Sequence, residues 1–288
     1  MNVETQIHLN KFKPYAWQVP FLDALENKRY DRVIAIVHRR GGKDLMFFNY
    51  MIRQCIRKVG TYLYCLPTFA HARRTVWNYI TMDSMRMLDY IPEPLVLKKR
   101  EDQMQVVFTN GSVLQLTGSD KYDSTIRGQN FNGIVFSEWA YCDPNAYYLG
   151  AQPVLARNGG WAAFATTPNG MNHAYDMYEM SKRNPEWFSQ LLTIDDTGLM
   201  TKADIDKIRA EGRTSEDVIQ QEYYCSFQFG NEGAYYLRYL NQMRLKGQIG
   251  FVGWDPTLKV YTATDWGVRD PSCIVFFQVS GGGNMVRI

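Results

Sequence analysis

The sequence predicts an α/β protein built on a mainly parallel central sheet with helices on both faces. Three observations predict it. Short apolar runs alternate with helical stretches through the first two thirds of the chain. Alternation of this kind marks strand–helix–strand units, whose strands lie parallel and buried. The first run, residues 33–37, passes directly into His38-Arg39-Arg40-Gly41-Gly42-Lys43-Asp44, a glycine-bearing turn that enters a helix with a lysine. A later run, residues 131–136, ends in Ser137-Glu138. Both segments fall at carboxyl ends of strands, where open parallel sheets bind their ligands.

In chain order, residues 33–37 read as a buried strand and 43–58 as a helix. Residues 61–66 (Thr61-Tyr62-Leu63-Tyr64-Cys65-Leu66) read as a second apolar strand, which Pro67 breaks. A helix is expected from there to about residue 88. Residues 104–117 alternate in two runs joined by Asn110-Gly111, a dipeptide whose backbone freedom favours a tight hairpin. Short strands are expected at 131–136 and 161–166, with helices near 144–156 and 171–183. Residues 202–223 read as two short helices. The polar stretch from 230 to about 257 carries Gly230, Gly233, Gly247, Gly250 and Gly253 and reads as a linker. A strand pair begins at Lys259, Ser280-Gly281-Gly282-Gly283 forms a turn, and residues 284–288 begin a third strand. The expected organisation is a first domain over 1–230, a linker over 231–257 and the start of a second domain over 258–288.

Composition narrows the class. The chain has 288 residues, 45% of them hydrophobic, and a net charge of +3. No apolar run approaches the length of a membrane span. The N-terminal Met1-Asn2-Val3-Glu4-Thr5-Gln6 has an early acid and no apolar signal core, so export is not expected. The five cysteines, Cys55, Cys65, Cys142, Cys225 and Cys273, form no C-x-x-C pair. That pattern suits reduced thiols rather than zinc ligands or a disulfide framework. The mild positive charge neither requires nor excludes DNA binding. Lys98-Lys99-Arg100 and Arg73-Arg74 are candidate DNA contacts, although a solvated charged face is the more ordinary reading of such clusters.

The turn after residue 37 has the frame of a phosphate-binding loop. Its backbone N–H groups and Lys43 would meet β- and γ-phosphates. A lysine at the positive end of a helix dipole is unfavourable unless an anion faces it. The loop departs from G-x-x-x-x-G-K-[ST] twice: Val37 replaces the first glycine, and Asp44 stands where a hydroxyl would hold Mg²⁺. The strand ending in Ser137-Glu138 departs in the opposite sense. An Asp-Glu pair is usual there, the first acid near the metal and the second orienting the attacking water. The two departures are complementary: a carboxylate is gained at Asp44 and a hydroxyl at Ser137. If both meet at one Mg²⁺, the site keeps one of each beside Glu138, and Mg²⁺ accepts any such set of oxygen ligands.

These segments, with what lies around them, resemble the large terminase subunits of tailed bacteriophages. Tyr15-Ala16-Trp17-Gln18 resembles the family's adenine-recognition motif, and residues 38–44 its variant phosphate loop, in which Arg39 is the functional arginine. Residues 108–119 resemble its hairpin, and Ser124-Thr125-Ile126-Arg127-Gly128 its Arg-Gly element. Phe164-Ala165-Thr166-Thr167-Pro168-Asn169-Gly170 resembles the coupling motif, and Gln221-Glu222-Tyr223-Tyr224-Cys225-Ser226-Phe227 the segment that closes the ATPase domain. Tyr261-Thr262-Ala263-Thr264-Asp265-Trp266-Gly267 resembles the first strand of an RNase H-like nuclease.

The resemblance implies a P-loop ATPase followed by the beginning of an RNase H-like nuclease domain. It implies Mg²⁺-dependent ATP hydrolysis that drives double-stranded viral DNA into a procapsid. Glu138 would position water. Arg39 would sit near the γ-phosphate, with Arg40 a less direct neighbour, and Arg127 would act either on a neighbour's nucleotide or as a structural cap. Tyr15, Trp17, Gln18, His38, Arg39, Arg40, Gly41, Gly42, Lys43 and Asp44 would bind ATP, with Asp44 and Ser137 at the metal. Thr166, Thr167 and Asn169 would report loss of the γ-phosphate, where the plainer reading is turn chemistry. Asp265 would be one ligand of a nuclease site for Mg²⁺ or Mn²⁺, with Asp270 close in sequence and the remaining acids beyond residue 288. The implied partners are a portal protein on the procapsid, a small terminase subunit and other copies of the chain, in a pentameric ring when packaging and a monomer in free solution. The implied location is the host cytoplasm, with no membrane involved. Two other readings stay open here: a helicase-like ATPase, and a nucleotide-binding or structural module that does not hydrolyse.

Overall fold

Alternate residues of a β-strand point to opposite faces, so a strand buried on both sides must be apolar throughout. The strand β1 (Arg32–Val37) follows this rule and its core residues are inaccessible to solvent. Val33, Ala35 and Val37 join one hydrophobic cluster, while Ile34 and Ile36 join the other. The same alternation splits β2 (Thr61–Leu66), with Tyr62, Tyr64 and Leu66 on the first face and Leu63 and Cys65 on the second. Burying each large apolar side chain contributes about 1.5–3 kcal/mol.

The computed structural model describes residues 9, 11–27, 29–228, 237–251, 253–267, 272–279 and 286–287. Residues 1–6, Gly230, Gly233, Asp270 and the 280–283 turn lie outside the described residues. The chain forms two compact units, 1–238 and 239–288. In the first, β3 (Val96–Arg100), β4 (Gln105–Phe108), β5 (Val113–Gly118), β6 (Gly133–Ser137), β7 (Trp161–Thr166) and β8 (Trp187–Leu192) complete an eight-stranded sheet with β1 and β2. The strand order is β3-β4-β5-β2-β6-β7-β1-β8. From β5 to β8 all neighbours are parallel, and β3 and β4 add an antiparallel margin.

Helices α1 (Val19–Glu26) and α2 (Lys43–Arg57) pack on one face through Phe21, Phe47, Tyr50 and Met51. Two short helices, α3 (Phe69–Ala72) and α4 (Tyr122–Thr125), follow β2 and β5. On the other face α5 (Gln152–Asn158) and α6 (His173–Ser181) contribute Leu155, Ala174 and Met177. Beyond β8, α7 (Ile194–Thr197), α8 (Lys202–Ala210) and α9 (Glu216–Glu222) gather around Ile194, Ile205 and Ile219.

Three features of the first unit's sheet and its connections depart from the sequence expectations. The helix expected to reach about residue 88 ends at Trp77, where the backbone widens into a π-turn over Arg73–Trp77. Thr81-Met82-Asp83-Ser84 then turns sharply, closed by Thr81 N–H donating to Met85 O at 2.7 Å and Ser84 N–H to Thr81 O at 3.0 Å. The apolar residues beyond it, Met87, Leu88 and Tyr90, are buried by a 3₁₀ turn instead. Strand β8 has no counterpart among the expected elements, because Ser189 and Gln190 interrupt its apolar run, yet it pairs along all of β1. Strand β3 coincides with a segment that the sequence marks only as a charge cluster. Lys98, Lys99 and Arg100 occupy the exposed outer edge of the sheet, where charges deter pairing with another chain. The 104–117 hairpin forms as expected, with Val106 opposite Leu114.

In the second unit β9 (Val260–Asp265), β10 (Cys273–Val279) and β11 (Val286–Arg287) form an antiparallel sheet ordered β11-β10-β9. Within the stretch read as a linker, Leu237–Leu245 form a helix, α10. Cys55, Cys65, Cys142 and Cys225 are buried free thiols and Cys273 is an exposed one. Among the described residues no helix is long and apolar enough to cross a membrane.

Gly133 opens β6 against the Trp161 ring, and a Cβ there would stand 2.1 Å from Trp161 Cε2. Trp161 is itself held by Tyr50, at a ring separation of 4.9 Å. Gly133→Ala is therefore expected to lower the unfolding free energy by about 1–3 kcal/mol through overpacking. The urea unfolding midpoint checks it, and an unchanged midpoint would mean that the ring moves aside freely.

Candidate functional site

The carboxyl ends of β1, β6 and β7 converge on Lys43. β1 ends at Val37, and His38 begins a turn in which Gly41 N–H donates to His38 O at 3.2 Å. A Cβ at Gly41 would meet Val37 Cγ1 at 2.5 Å. The valine that replaces the usual first glycine is thus accommodated because residue 41 has no side chain. Gly42 caps α2 at φ 85°, a left-handed conformation that glycine adopts without strain. Lys43 is the first helical residue and is only 6% exposed. Its Nζ lies 3.3 Å from Glu138 Oε1 and donates to Thr167 Oγ1 at 3.3 Å. Burial works to lower the Lys43 pKa, but the carboxylates of Glu138 and Asp44 more than offset it and hold the ammonium above its ordinary value. A full positive charge therefore sits at the positive end of α2.

Glu138 follows β6 in a left-handed conformation, φ 54° and ψ 46°, which costs a non-glycine residue roughly 1–2 kcal/mol. The next residues are tied down on several sides. Ala140 N–H donates to Thr166 Oγ1 at 3.1 Å, and Asn172 Nδ2 donates to Ala140 O at 2.9 Å. His173 Nε2 lies 2.8 Å from Trp139 O, and its ring meets the Trp139 ring edge-on. The Thr167 hydroxyl donates to Val37 O at 3.3 Å, joining the end of β7 to the end of β1. Asn169 is half-buried in the turn leading to α6 and makes no hydrogen bond to Lys43, Glu138 or Thr167 among the described residues.

Asp44 and Ser137 meet directly: Ser137 Oγ donates a short hydrogen bond to Asp44 Oδ1. Tyr64, from β2, donates its hydroxyl to the same oxygen at 2.8 Å. Burial, and then the neighbouring Asp44 carboxylate, push the Tyr64 pKa far above the ordinary phenol value, so this group is a donor only. Asp44, Ser137 and Glu138 together offer carboxylate and hydroxyl oxygens, the donor type that Mg²⁺ takes, beside a loop shaped for phosphates. The residues present fit a phosphate-bound Mg²⁺.

The remaining expected residues divide. Gln18 is buried, accepts from Tyr15 N–H at 3.0 Å and donates to Gly42 O at 3.0 Å, tying the N-terminal segment to the turn before α2. Tyr15 is half exposed, and its ring edge lies 3.6 Å from where a Gly42 Cβ would stand. Trp17, expected among the ATP-binding residues, is instead buried in the core with its ring edge-on to Phe21. An aromatic used for packing does not offer its face to a base. His38 is buried between Arg39 O at 2.7 Å and Thr197 Oγ1 at 2.6 Å, a bracing position rather than an open ligand. Arg39 and Arg40 diverge, Arg39 to Glu222 at 3.4 Å and Arg40 to the Tyr79 hydroxyl at 3.3 Å. Arg127 is exposed and pairs with Asp123 at 3.2 Å, outside the Lys43 cluster. Asp265 ends β9 and is exposed. Among the described residues no group of three or more His, Cys, Asp or Glu side chains is placed to hold a metal.

The sequence reading missed Tyr64 and Thr197, and quoted Glu222 without a role. The signal for Tyr64 was present: it lies near the carboxyl end of β2, and β2 neighbours the strand that carries Ser137.

Known proteins share this fold. Residues 70–241 match the family model described as terminase large subunit, T4likevirus-type, N-terminal. The match starts after the phosphate loop and includes Ser137, Glu138 and residues 164–170. The large terminase subunit of Escherichia phage T5 is 26% identical over 272 residues, which is 91% of this chain and 59% of that protein. The chain thus spans about 59% of the length of that curated relative. Among solved structures, the Thermus phage P74-26 large terminase ATPase domain aligns with a TM-score of 0.62 at 17% identity, covering 76% of this chain and 96% of that one. The large terminase of a second thermophilic bacteriophage, in complex with ATP-gamma-S, aligns at 0.58 and 18% identity, covering 93% of this chain and 66% of that one. These structural likenesses establish the ATPase-domain fold.

Burial lowers the pKa of both His38 and His173 below the ordinary 6.5. In the unfolded chain both rings take up protons that the folded chain resists. Their contribution to stability is therefore complete above about pH 6.5 and is lost as pH falls through the lower folded values. The urea midpoint is expected to drop between about pH 7.5 and 5.5, and to drop less in a His38→Gln/His173→Gln variant. Equal drops in both proteins would contradict the assignment.

Proposed function

The chain belongs to the terminase large-subunit family, and from that membership we propose that it hydrolyses ATP with Mg²⁺ to drive double-stranded viral DNA into a procapsid. The observation that carries the proposal is the buried Lys43 ammonium, held at the N-terminus of α2 between a phosphate-shaped loop and Glu138. A buried cation in that position is stabilised by anions, and a polyphosphate supplies more of them than one carboxylate does.

In this reading the loop N–H groups of residues 41–43 and the Lys43 ammonium bind the β- and γ-phosphates. Tyr15 and Gln18 border the base. Asp44, with Ser137 hydrogen-bonded beside it, would hold the Mg²⁺, which when bound would neutralise charge on the phosphoryl oxygens. Once phosphate engages Lys43, Glu138 is released to orient a water and accept its proton as the water oxygen bonds to Pγ and the bridge to the β-phosphate breaks. Arg39 is the loop arginine proposed for the γ-phosphate, in competition with Glu222. Arg127, on the surface, suits a nucleotide bound to a neighbouring subunit of a ring. Thr166 and Thr167 bridge the phosphate loop to the segment after Glu138, so loss of the γ-phosphate would shift that segment and, through Asn169, the start of α6. The same reading proposes a portal protein, a small terminase subunit and a pentameric assembly as partners, and the host cytoplasm as the setting. Residues 258–288, with Asp265, are proposed as the start of an RNase H-like nuclease completed by acids outside this sequence. A helicase reading is less well supported. Among the described residues, the second unit holds antiparallel strands rather than a second parallel sheet with a phosphate loop.

Steady-state phosphate release tests the proposal. Turnover is expected with Mg²⁺ and absent with chelator, and Glu138→Gln should lower it by about 10²–10⁴-fold. Turnover that survives in Glu138→Gln would remove the residue from the reaction, and a wild-type chain that binds no nucleotide would overturn the motor reading.

A further inference from the structure

An aspartate in place of the usual loop hydroxyl raises a physical difficulty. A hydroxyl is neutral and offers one oxygen. A carboxylate is longer, offers two, and brings a negative charge towards phosphates. Left free to rotate, it would swing between positions and repel the nucleotide. The structure holds it in one orientation. Tyr64 and Ser137 both donate to Asp44 Oδ1, from two adjacent parallel strands, β2 and β6. Among the described residues no hydrogen bond is made to Oδ2.

Tyr64 is fixed firmly enough for this task. It is fully buried, and its ring packs edge-on against Phe48 of α2, the helix that carries Asp44. Its hydroxyl also lies 3.4 Å from the Asp44 backbone carbonyl. A phenol whose ring is locked in the core sets the place of its proton, and two donors on one oxygen fix the plane of the carboxylate. Hydrogen bonds to a charged acceptor are the stronger kind and partly neutralise it.

Resting on the nucleotide-site reading above, we propose that Asp44 serves as the direct metal ligand through Oδ2, and that Tyr64 and Ser137 are the positioning pair that holds it there. The exchange of hydroxyl and carboxylate between the phosphate loop and β6 is then a three-residue device. Outer hydrogen bonds that orient a ligand typically change metal affinity by about 10–100-fold when removed. Tyr64 is thereby distinguished from an ordinary core tyrosine by one atom, and Tyr64→Phe removes only that atom.

The test is a binding measurement on the whole chain. The affinity for fluorescently labelled ATP-gamma-S is measured in chelator and in Mn²⁺, and the ratio reports how far metal and nucleotide assist each other. Wild type should show marked tightening by Mn²⁺. Tyr64→Phe and Ser137→Ala should each reduce that tightening by about tenfold, and Tyr64→Phe should leave the chelator affinity unchanged. In an Asp44→Thr/Ser137→Asp background, which restores the common ligand arrangement, Tyr64→Phe should have no effect on the ratio. Undiminished tightening in Tyr64→Phe would overturn the inference, and so would equal losses with and without metal, which mark a merely structural role. Wild type that binds nucleotide without any Mn²⁺ effect would overturn the metal assignment itself. A Tyr64-independent ratio that still falls in Asp44→Asn would leave that assignment standing and remove only the positioning role.

Discussion

A buried ammonium at the positive end of a helix is the constraint around which the first unit is organised. Lys43 is unfavourable there by burial and by the helix dipole alike. Its charge is retained because the carboxylates of Glu138, after β6, and Asp44 face it, and Thr167, after β7, accepts a hydrogen bond from it. Glu138 and Thr167 arrive through the sheet. β6, β7 and β1 are consecutive parallel neighbours, so their carboxyl ends lie side by side and deliver one residue each to the same place. The left-handed backbone of Glu138 fits the same account. A strained residue persists where its surroundings over-determine it, and the bonds on Trp139, Ala140 and Tyr141 do so here.

The second constraint is charge complementarity between the loop and β6. The two sequence departures could have been independent losses, each weakening a metal site. They are in contact, and a third residue from β2 joins them. One carboxylate and one hydroxyl stand at these two positions, as in the usual arrangement, with their places exchanged. For Mg²⁺, which selects oxygen donors more than any particular side chain, such an exchange is chemically permitted provided the longer carboxylate is held in place.

Much of this was legible in the sequence, for identifiable reasons. Strands buried on both faces are apolar without interruption, so β1, β2, β6 and β7 announced themselves, as did the Asn110-Gly111 hairpin. The meeting of the 38–44 turn with Glu138 was legible because glycine, lysine and carboxylate stand at fixed offsets from strand ends. Edge strands were not legible. β8 is half-buried and interrupted by Ser189-Gln190, and β3 is charged because it faces solvent. Nor does a sequence tell which of two nearby aromatics packs inward: Trp17 is buried while Tyr15 is half exposed. Tyr64 lay within a strand read correctly, but its role depends on β2 lying next to β6, a matter of strand order rather than of local pattern.

Equilibrium binding of ATP-gamma-S to Glu138→Gln, beside Lys43→Met, tests the central claim most directly. Glu138 and phosphate are held to compete for one buried ammonium. Glu138→Gln should therefore bind the nucleotide at least as tightly as wild type, while Lys43→Met should lose binding. Weakened binding in Glu138→Gln, or undisturbed binding in Lys43→Met, would contradict the account.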